Sequence, residues 1–443
     1  MAMLRPASEM KDSGIEWVGQ IPQNWNKNKL RYLVRLINGY PFQSSLYSNE
    51  GVFIVRITNV DDGCLNTNNP RYYPEQLIDE YSNSLLKSKD ILMTLTGNVG
   101  LVGIVDEGYP KSALNQRVGC IRVSSPLIIH KYLYYLFMTQ EFTETATLYS
   151  KGTVQLNMST EWLLNERIPL PDISEQQAIA DYLDDRCSKI DEIIAEATAS
   201  IEEYKELKQA VIFEAVTKGL DKNTPTKDSK MEFAGDIPAH WQVVRFIRTN
   251  WVRGRLGWKG LKADEYVDNG YPFLSAFNII NSHLAWTDLN HITQERYDES
   301  PEIKLSVGDI VLVKDGAGIG KCARIDELPL GEATVNSSLA VITPQENIYY
   351  RYEYYYFLSP LFQNIITRLR NGMGVPHLTQ ESMKAIYMPL PTIEEQKAIS
   401  DYLDVRVGEL DDLISEKQAL IDDLQAYKKS LIYEVVTGKR RVV

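Results

Sequence analysis

The sequence predicts an α+β fold: two mixed α/β domains related by a pseudo-two-fold repeat and joined by two long helices that form an antiparallel coiled coil. Three observations predict it. The chain repeats itself at a step of 220 positions, so that Pro169-Leu170-Pro171 returns as Pro389-Leu390-Pro391, Asp181-Tyr182-Leu183-Asp184 as Asp401-Tyr402-Leu403-Asp404, and Ile212-Phe213-Glu214 as Ile432-Tyr433-Glu434. After each Pro-Leu-Pro the apolar spacing becomes 3-4-3-4. Between these segments lie two blocks of short apolar runs punctuated by Gly, Asn and Asp, a pattern of short strands and turns.

In chain order, residues 1–167 form the first domain, 168–220 the first repeated helix, 221–235 a linker, 236–385 the second domain and 386–443 the second repeated helix. Each half opens on a related motif, Trp17-Val18-Gly19-Gln20-Ile21-Pro22-Gln23-Asn24-Trp25 and Phe233-Ala234-Gly235-Asp236-Ile237-Pro238-Ala239-His240-Trp241. Inside the blocks, Lys89-Asp90-Ile91-Leu92 matches Gly308-Asp309-Ile310-Val311, and Tyr132-Leu133-Tyr134-Tyr135 matches Tyr352-Glu353-Tyr354-Tyr355. Likeness is weak elsewhere, so the blocks share a scaffold and not a surface.

Each long helix starts where Asp172 or Thr392 stands three residues before Glu175 or Glu395, an N-cap signature behind a strand-ending proline. The first seam runs through Cys187, Ile190, Ile194, Ala197, Ile201, Tyr204, Lys208 and Val211. The second runs through Val407, Leu410, Ile414, Lys417, Ile421, Leu424, Lys428 and Leu431. A single helix cannot bury such a stripe, so the copies are expected to pair through Ile190, Ile194, Ile201 and Tyr204 against Leu410, Ile414, Ile421 and Leu424. Lys208 and Lys428, on the stripe, read as register devices or snorkelling side chains.

Composition narrows the function. The 443 residues are 44% hydrophobic and 10% aromatic, those of a globular chain with room for several domains. No run approaches a membrane span, the start lacks the apolar core of a signal peptide, and four scattered cysteines fit a reducing cytoplasm. The net charge of −12 resides almost entirely in the helical segments. Residues 1–171 carry 16 basic and 16 acidic side chains and 218–391 carry 19 and 20, whereas 172–217 carry 4 and 12 and 392–443 carry 8 and 11. A basic patch on each block is compatible with that balance.

Two diverged blocks, each followed by Pro-Leu-Pro, a Glu-containing cap and a long helix, together resemble the specificity subunit of type I restriction-modification enzymes over nearly the whole chain. The resemblance implies that the blocks are target-recognition domains, each reading one half of a bipartite double-stranded DNA sequence. It implies that the paired helices set the spacer and dock two methyltransferase (modification) subunits, through which the restriction (motor-nuclease) subunits join. The chain itself would be non-catalytic and hold no cofactor. S-adenosylmethionine would sit on the methyltransferase subunit, and ATP and Mg on the restriction subunit. The rival readings are a scaffold or DNA-mimic relative without sequence readout, which the acidic helices permit, and a standalone nuclease or methyltransferase, for which no complete catalytic constellation is present.

Candidate DNA contacts follow from side-chain chemistry, since Arg grips guanine edges, Asn and Gln read adenine, and Lys holds phosphate. In the first block these are Lys27, Lys29, Arg31, Arg35, Gln43, Arg56, Asn59, Gln116, Arg117, Lys151 and Gln155. In the second they are Arg245, Arg248, Arg253, Arg255, Lys259, Lys262, Asn278, Asn336 and Ser337, with Trp251 and Trp258 interleaved. Asp315 through Cys322 resembles a phosphate loop but lacks its first Gly and its Ser/Thr, and reads as a tight hairpin. Asn69-Pro70-Arg71-Tyr72 reads as a turn. The six tyrosines between Tyr349 and Tyr356 read as helix packing on a sheet rather than as base-stacking platforms, and the five histidines show no ligand spacing.

Overall fold

A computed structural model of the chain describes residues 3–61, 63–152, 156–254, 261, 265–316, 318–370, 377–379, 382–383 and 385–442. It resolves into two compact units, the first made of Met1–Ala197 with Ala419–Val443 and the second of Thr198–Gln418. Each unit therefore contains one block, the first half of the helix that follows it and the last half of the other long helix.

The first unit carries a four-stranded antiparallel sheet in the order Val34–Asn38, Val118–Val123, Ile91–Thr94, Val102–Ile104. Beside it lies a three-stranded sheet in which Ser112–Leu114 runs parallel to Val52–Val55 and Tyr72–Tyr73 antiparallel to it. The second unit repeats this topology, with Asn250–Arg253, Leu339–Pro344, Ile310–Val313 and Cys322–Arg324 in one sheet. Asn290–Ile292, Tyr271–Leu274 and Thr334–Val335 make the other. The central strands Ile91–Thr94 and Ile310–Val313 are buried along their whole length, as expected of strands covered on both faces. Helices His130–Phe137 and Tyr350–Leu358 supply the cover, and Tyr352, Tyr354, Tyr355 and Tyr356 are buried in that role. Segment 315–321 joins two antiparallel strands, so the hairpin reading holds. In the stretch expected to be a polar linker, Thr226–Asp228 pairs with Asp236–Pro238.

The long helices span Ile173–Lys218 and Ile393–Val436. Asp172 accepts from the Glu175 amide at 2.8 Å, and its carboxyl is held below its ordinary range by hydrogen bonds from the Ser174 hydroxyl and that amide. Thr392 and Glu395 form a reciprocal capping box at 3.3 and 3.0 Å. The helices run antiparallel within each unit. In the first, Ile190 and Ile194 share a core with Leu424, Leu431, Ile432 and Val435, while in the second Val407 shares a core with Ile212, Ala215 and Val216. Ile201, Leu410 and Ile421 are buried; Tyr204 and Ile414 are half-buried. Lys428 donates to both Asp191 carboxylate oxygens at 2.6 and 2.7 Å. Lys208 does the same to Asp411 at the same distances, so each seam lysine is ion-paired, and the two acidic partners stand 220 positions apart.

The recurring motifs now have physical roles. The indole N–H of Trp25 donates to Glu175 at 2.8 Å and that of Trp241 to Glu395 at 3.2 Å, so the opening motif of each half locks onto the cap of its helix. The Tyr132 hydroxyl bridges Pro169 O and Val436 O, both at 3.1 Å, and Tyr352 bridges Pro389 O and Val216 O at 3.0 and 3.4 Å. The buried Gln176 and Gln396 side chains hydrogen-bond the loop before the covering helix. Asp404 fastens the second block to its helix through Tyr355 (2.6 Å), Arg324 (2.8 Å) and Arg351 (3.1 Å). Burial alone would raise the Asp404 carboxyl, but those donors hold it below its ordinary value. Asp184 does the same job in the first unit with Tyr135, at 2.8 Å, and Lys131.

Candidate nucleic-acid interface

Both units gather their connecting loops at one end of the two sheets. In the first, the strand Val52–Val55 ends at Arg56, and the Asn115 amide donates to Val55 O at 3.0 Å. The Gln116 amide reaches Tyr40 O at 3.2 Å, and the Leu95 amide reaches Arg117 O at 3.1 Å. Lys151 joins this group through its pairing with Asn157, which bridges to Thr96. A Cβ on Gly39 would lie 2.1 Å from Asn115 O, so only glycine permits this convergence. In the second unit, Asn336 N donates to Leu274 O (2.8 Å), Lys314 N to Ser338 O (2.9 Å) and Leu378 N to Lys314 O (2.9 Å). The same scaffold thus brings corresponding loops together twice, from segments far apart in sequence.

The candidates divide into three groups. Gln116, Arg117 and Lys151 are exposed on the first loop cluster, and Ser337 is exposed with Asn336 half-buried on the second. Gln43 is exposed at the head of the turn Ser44–Leu46. The second group lies elsewhere. Lys27 and Lys29 sit on Asn26–Lys29, which pairs with Arg167–Leu170, and Arg31 and Arg35 surround the start of Val34–Asn38, at the end of that strand away from the loop cluster. The Lys27 ammonium is tied to Ser13 O. Arg245 is exposed beside Tyr387, donating to its hydroxyl at 3.0 Å, and Arg248 is exposed on the turn Phe246–Arg248. Gln155, Arg255, Lys259 and Lys262, with Trp258, lie outside the described residues.

The third group needs correction. Arg253 is buried, donating to Asp309 at 2.7 Å, Thr343 at 2.6 Å and Lys304 O at 2.9 Å, so its guanidinium is spent inside the fold. Asn59 and Asn278 are buried too. Their side-chain oxygens accept from the backbone amides of Arg56 (3.1 Å) and Ser275 (2.9 Å), closing a short 3-10 turn. The Asn/Asp preference for turn capping defeats a base-reading assignment from sequence alone. Arg56 is half-buried and reaches back to Asn69 O at 2.6 Å.

The loop clusters also contain Phe277, which the sequence places with Asn278 in a base-reading stretch, and His377, to which the sequence assigns no role. Phe277, between the capped residues Ser275 and Asn278, is 92% exposed. His377 pairs with Asp315 across 62 residues of sequence, a juxtaposition that no local spacing could signal. Among the described residues, no group of three His, Cys, Asp or Glu is placed to hold a metal ion, and no helix is long and apolar enough to cross a membrane.

One scaffold used twice, with the two loop faces diverged, defines a two-headed recognition module. Residues 22–203 and 258–422 match the model of the type I restriction modification DNA specificity domain, and the chain belongs to that family. Among its relatives, the type I restriction enzyme MjaVIII specificity subunit of Methanocaldococcus jannaschii is 24% identical, the match covering 96% of this chain and 94% of that one. The EcoBI specificity subunit of Escherichia coli is 23% identical over 90% of this chain and 82% of that one. The fold matches a chain solved in work on complex assembly and conformational transition of the type I R-M system, with a TM-score of 0.68 and 16% identity over 95% of this chain and 99% of the other. It also matches the HsdS subunit from Thermoanaerobacter tengcongensis, with a TM-score of 0.51 and 15% identity over 95% and 98%.

Proposed function

We propose that the chain is the DNA-specificity subunit of a type I restriction-modification complex, each unit reading one half of a bipartite duplex target. The observation that carries this reading is the pair of loop clusters: behind the matching turn asparagines Asn115 and Asn336, whose side-chain oxygens accept from Arg117 N and Ser338 N, the same strand ends present Gln116 and Arg117 in one unit and Ser337 and Ser338 in the other, as two readers of different sequences require. The paired helices set the spacer between half-sites and dock two methyltransferase subunits, and the restriction subunits join through that assembly. S-adenosylmethionine belongs to the methyltransferase subunit, and ATP and Mg to the restriction subunit. The near-neutral blocks supply few phosphate contacts, so full affinity requires the partner subunits to close on the duplex.

Co-producing the chain with its methyltransferase subunit and sequencing host DNA for modified adenine tests the reading. The expected result is a bipartite motif that vanishes when the chain is omitted. Assembly of the complex without any modified motif would favour a scaffold or DNA-mimic relative. Insertion of seven residues after Ala197 and after Lys417 is expected to lengthen the spacer and leave both half-sites unchanged; altered half-sites would exclude the ruler.

A further inference from the structure

We infer that Phe277 is the apolar base-contact residue of the second unit, its ring desolvated against a base of the half-site which that unit reads. The inference rests on the DNA-reading function proposed above. Nearly all of this ring faces solvent, and none of the described aromatic rings packs on it. A phenyl group in that position contributes almost nothing to the stability of the fold, because stabilisation follows the apolar area removed from water. Its loop is nevertheless held firmly. Asn278 Oδ1 accepts from the Ser275 amide at 2.9 Å and the Ser275 hydroxyl at 3.0 Å, the Asn278 amide donates to Ser275 O at 3.0 Å, and Ala285 N donates to Asn278 O at 2.9 Å.

The placement points to the ligand. The strand Tyr271–Leu274 delivers the chain to this turn, and its last carbonyl is bonded to Asn336, so Phe277 projects from the loop cluster that also presents Ser337. The first unit closes the corresponding turn through Asn59 Oδ1, which accepts from the Arg56 amide, and places the exposed Thr58 where the second places Phe277. One scaffold position thus carries a small polar group in one reader and a large apolar one in the other. On a preordered loop the cost of immobilising the contact is already met by the fold. A phenyl ring has no hydrogen bond to offer a base edge; it can pack on a thymine 5-methyl group or enter a base step as a wedge.

The experiment measures binding of the chain–methyltransferase complex to a duplex bearing the motif obtained by methylation mapping, for the wild type, Phe277→Ala, Phe277→Leu and Phe277→Trp. Phe277→Ala is expected to keep the wild-type melting midpoint and lose about tenfold or more in affinity, with a smaller penalty for substitutions in the second half-site and an unchanged penalty in the first. Rescue by Trp, with a rise in 2-aminopurine fluorescence at one step, identifies the wedge. Rescue by Leu, with a loss on replacing one thymine by uracil, identifies the methyl contact. Wild-type affinity and discrimination in Phe277→Ala overturn the assignment and leave DNA reading intact. A wild-type complex that binds all duplexes alike overturns the DNA reading itself.

Discussion

The two units share topology strand for strand yet solve the same interior problems with different chemistry. Each sheet buries an aspartate just before its central strand. In the first unit Asp90 is held by Arg122, from the neighbouring strand Val118–Val123, at 2.6 and 2.7 Å. In the second, Thr343 lies on the corresponding strand, and Arg253 on the next strand along reaches Asp309 instead. The second contrast is sharper. Val34 and Leu133 pack in the first core, whereas Asn250, opening the corresponding strand, donates to Glu353 in the second. Burial pushes the Glu353 carboxyl up to about 8, against an ordinary value of 4.5. Asn250 Oδ1 and Glu353 Oε2 are buried without partners, and protonation of Glu353 supplies the donor that such an acid–amide pair needs. A fold's outline thus constrains where charge must be neutralised, and leaves open which strand does it.

The largest expected effect comes from removing an arginine. Arg253→Leu is expected to lower the stability of the second unit by about 3–5 kcal/mol, because Asp309 is then buried without its countercharge. Restoring the first unit's arrangement with Thr343→Arg in the same chain is expected to recover most of the loss in urea unfolding. Failure to recover would show that the two solutions are not interchangeable.

Next comes Glu353. With its folded value raised, the native unit holds a proton that the unfolded chain releases, so the contribution of Glu353 to stability is fully present below about pH 4.5 and is lost as pH rises towards about 8. Transplanting the first unit's pair, Asn250→Val with Glu353→Leu, is expected to flatten that decline and to stabilise the second unit by about 1–3 kcal/mol near pH 8. Unfolding curves collected from pH 5 to pH 9 decide it, and an unchanged slope in the double variant would assign the decline to other groups.

A smaller effect is expected at the caps. Asp172→Ala and Thr392→Ala should each cost about 0.5–2 kcal/mol, and similar values would show that the repeat is energetically as well as geometrically matched here. The smallest belongs to the seam. Lys208→Met and Lys428→Met should each change stability by less than about 1 kcal/mol, because the Asp411 and Asp191 partners are largely solvated.

The scaffold was legible because it is periodic or duplicated. The step of 220, the heptad stripes and the cap residues Asp172 and Thr392 each leave a local pattern that physical rules convert into structure. The interface was less so. Asn59 and Asn278 carry the chemistry of base readers, but a buried asparagine beside a turn amide serves the backbone, and burial is set by strands distant in sequence. Arg253 sits within a basic run, and what removes it from the surface is Asp309, 56 residues away. Apolarity alone predicts an interior position for Phe277, whereas the fold leaves its ring in solvent.

The first unit is discontinuous, needing Ala419–Val443 to complete it, while the second is the unbroken stretch Thr198–Gln418. On the ribosome, synthesis runs opposite to this order of completion. The second unit has all its residues once Gln418 has emerged, whereas the first waits for Leu431, Ile432, Val435 and the Val436 carbonyl that Tyr132 seeks. The domain made first is the last to close, so a nascent chain spends its synthesis with one reader finished and the other still open to a chaperone or a protease.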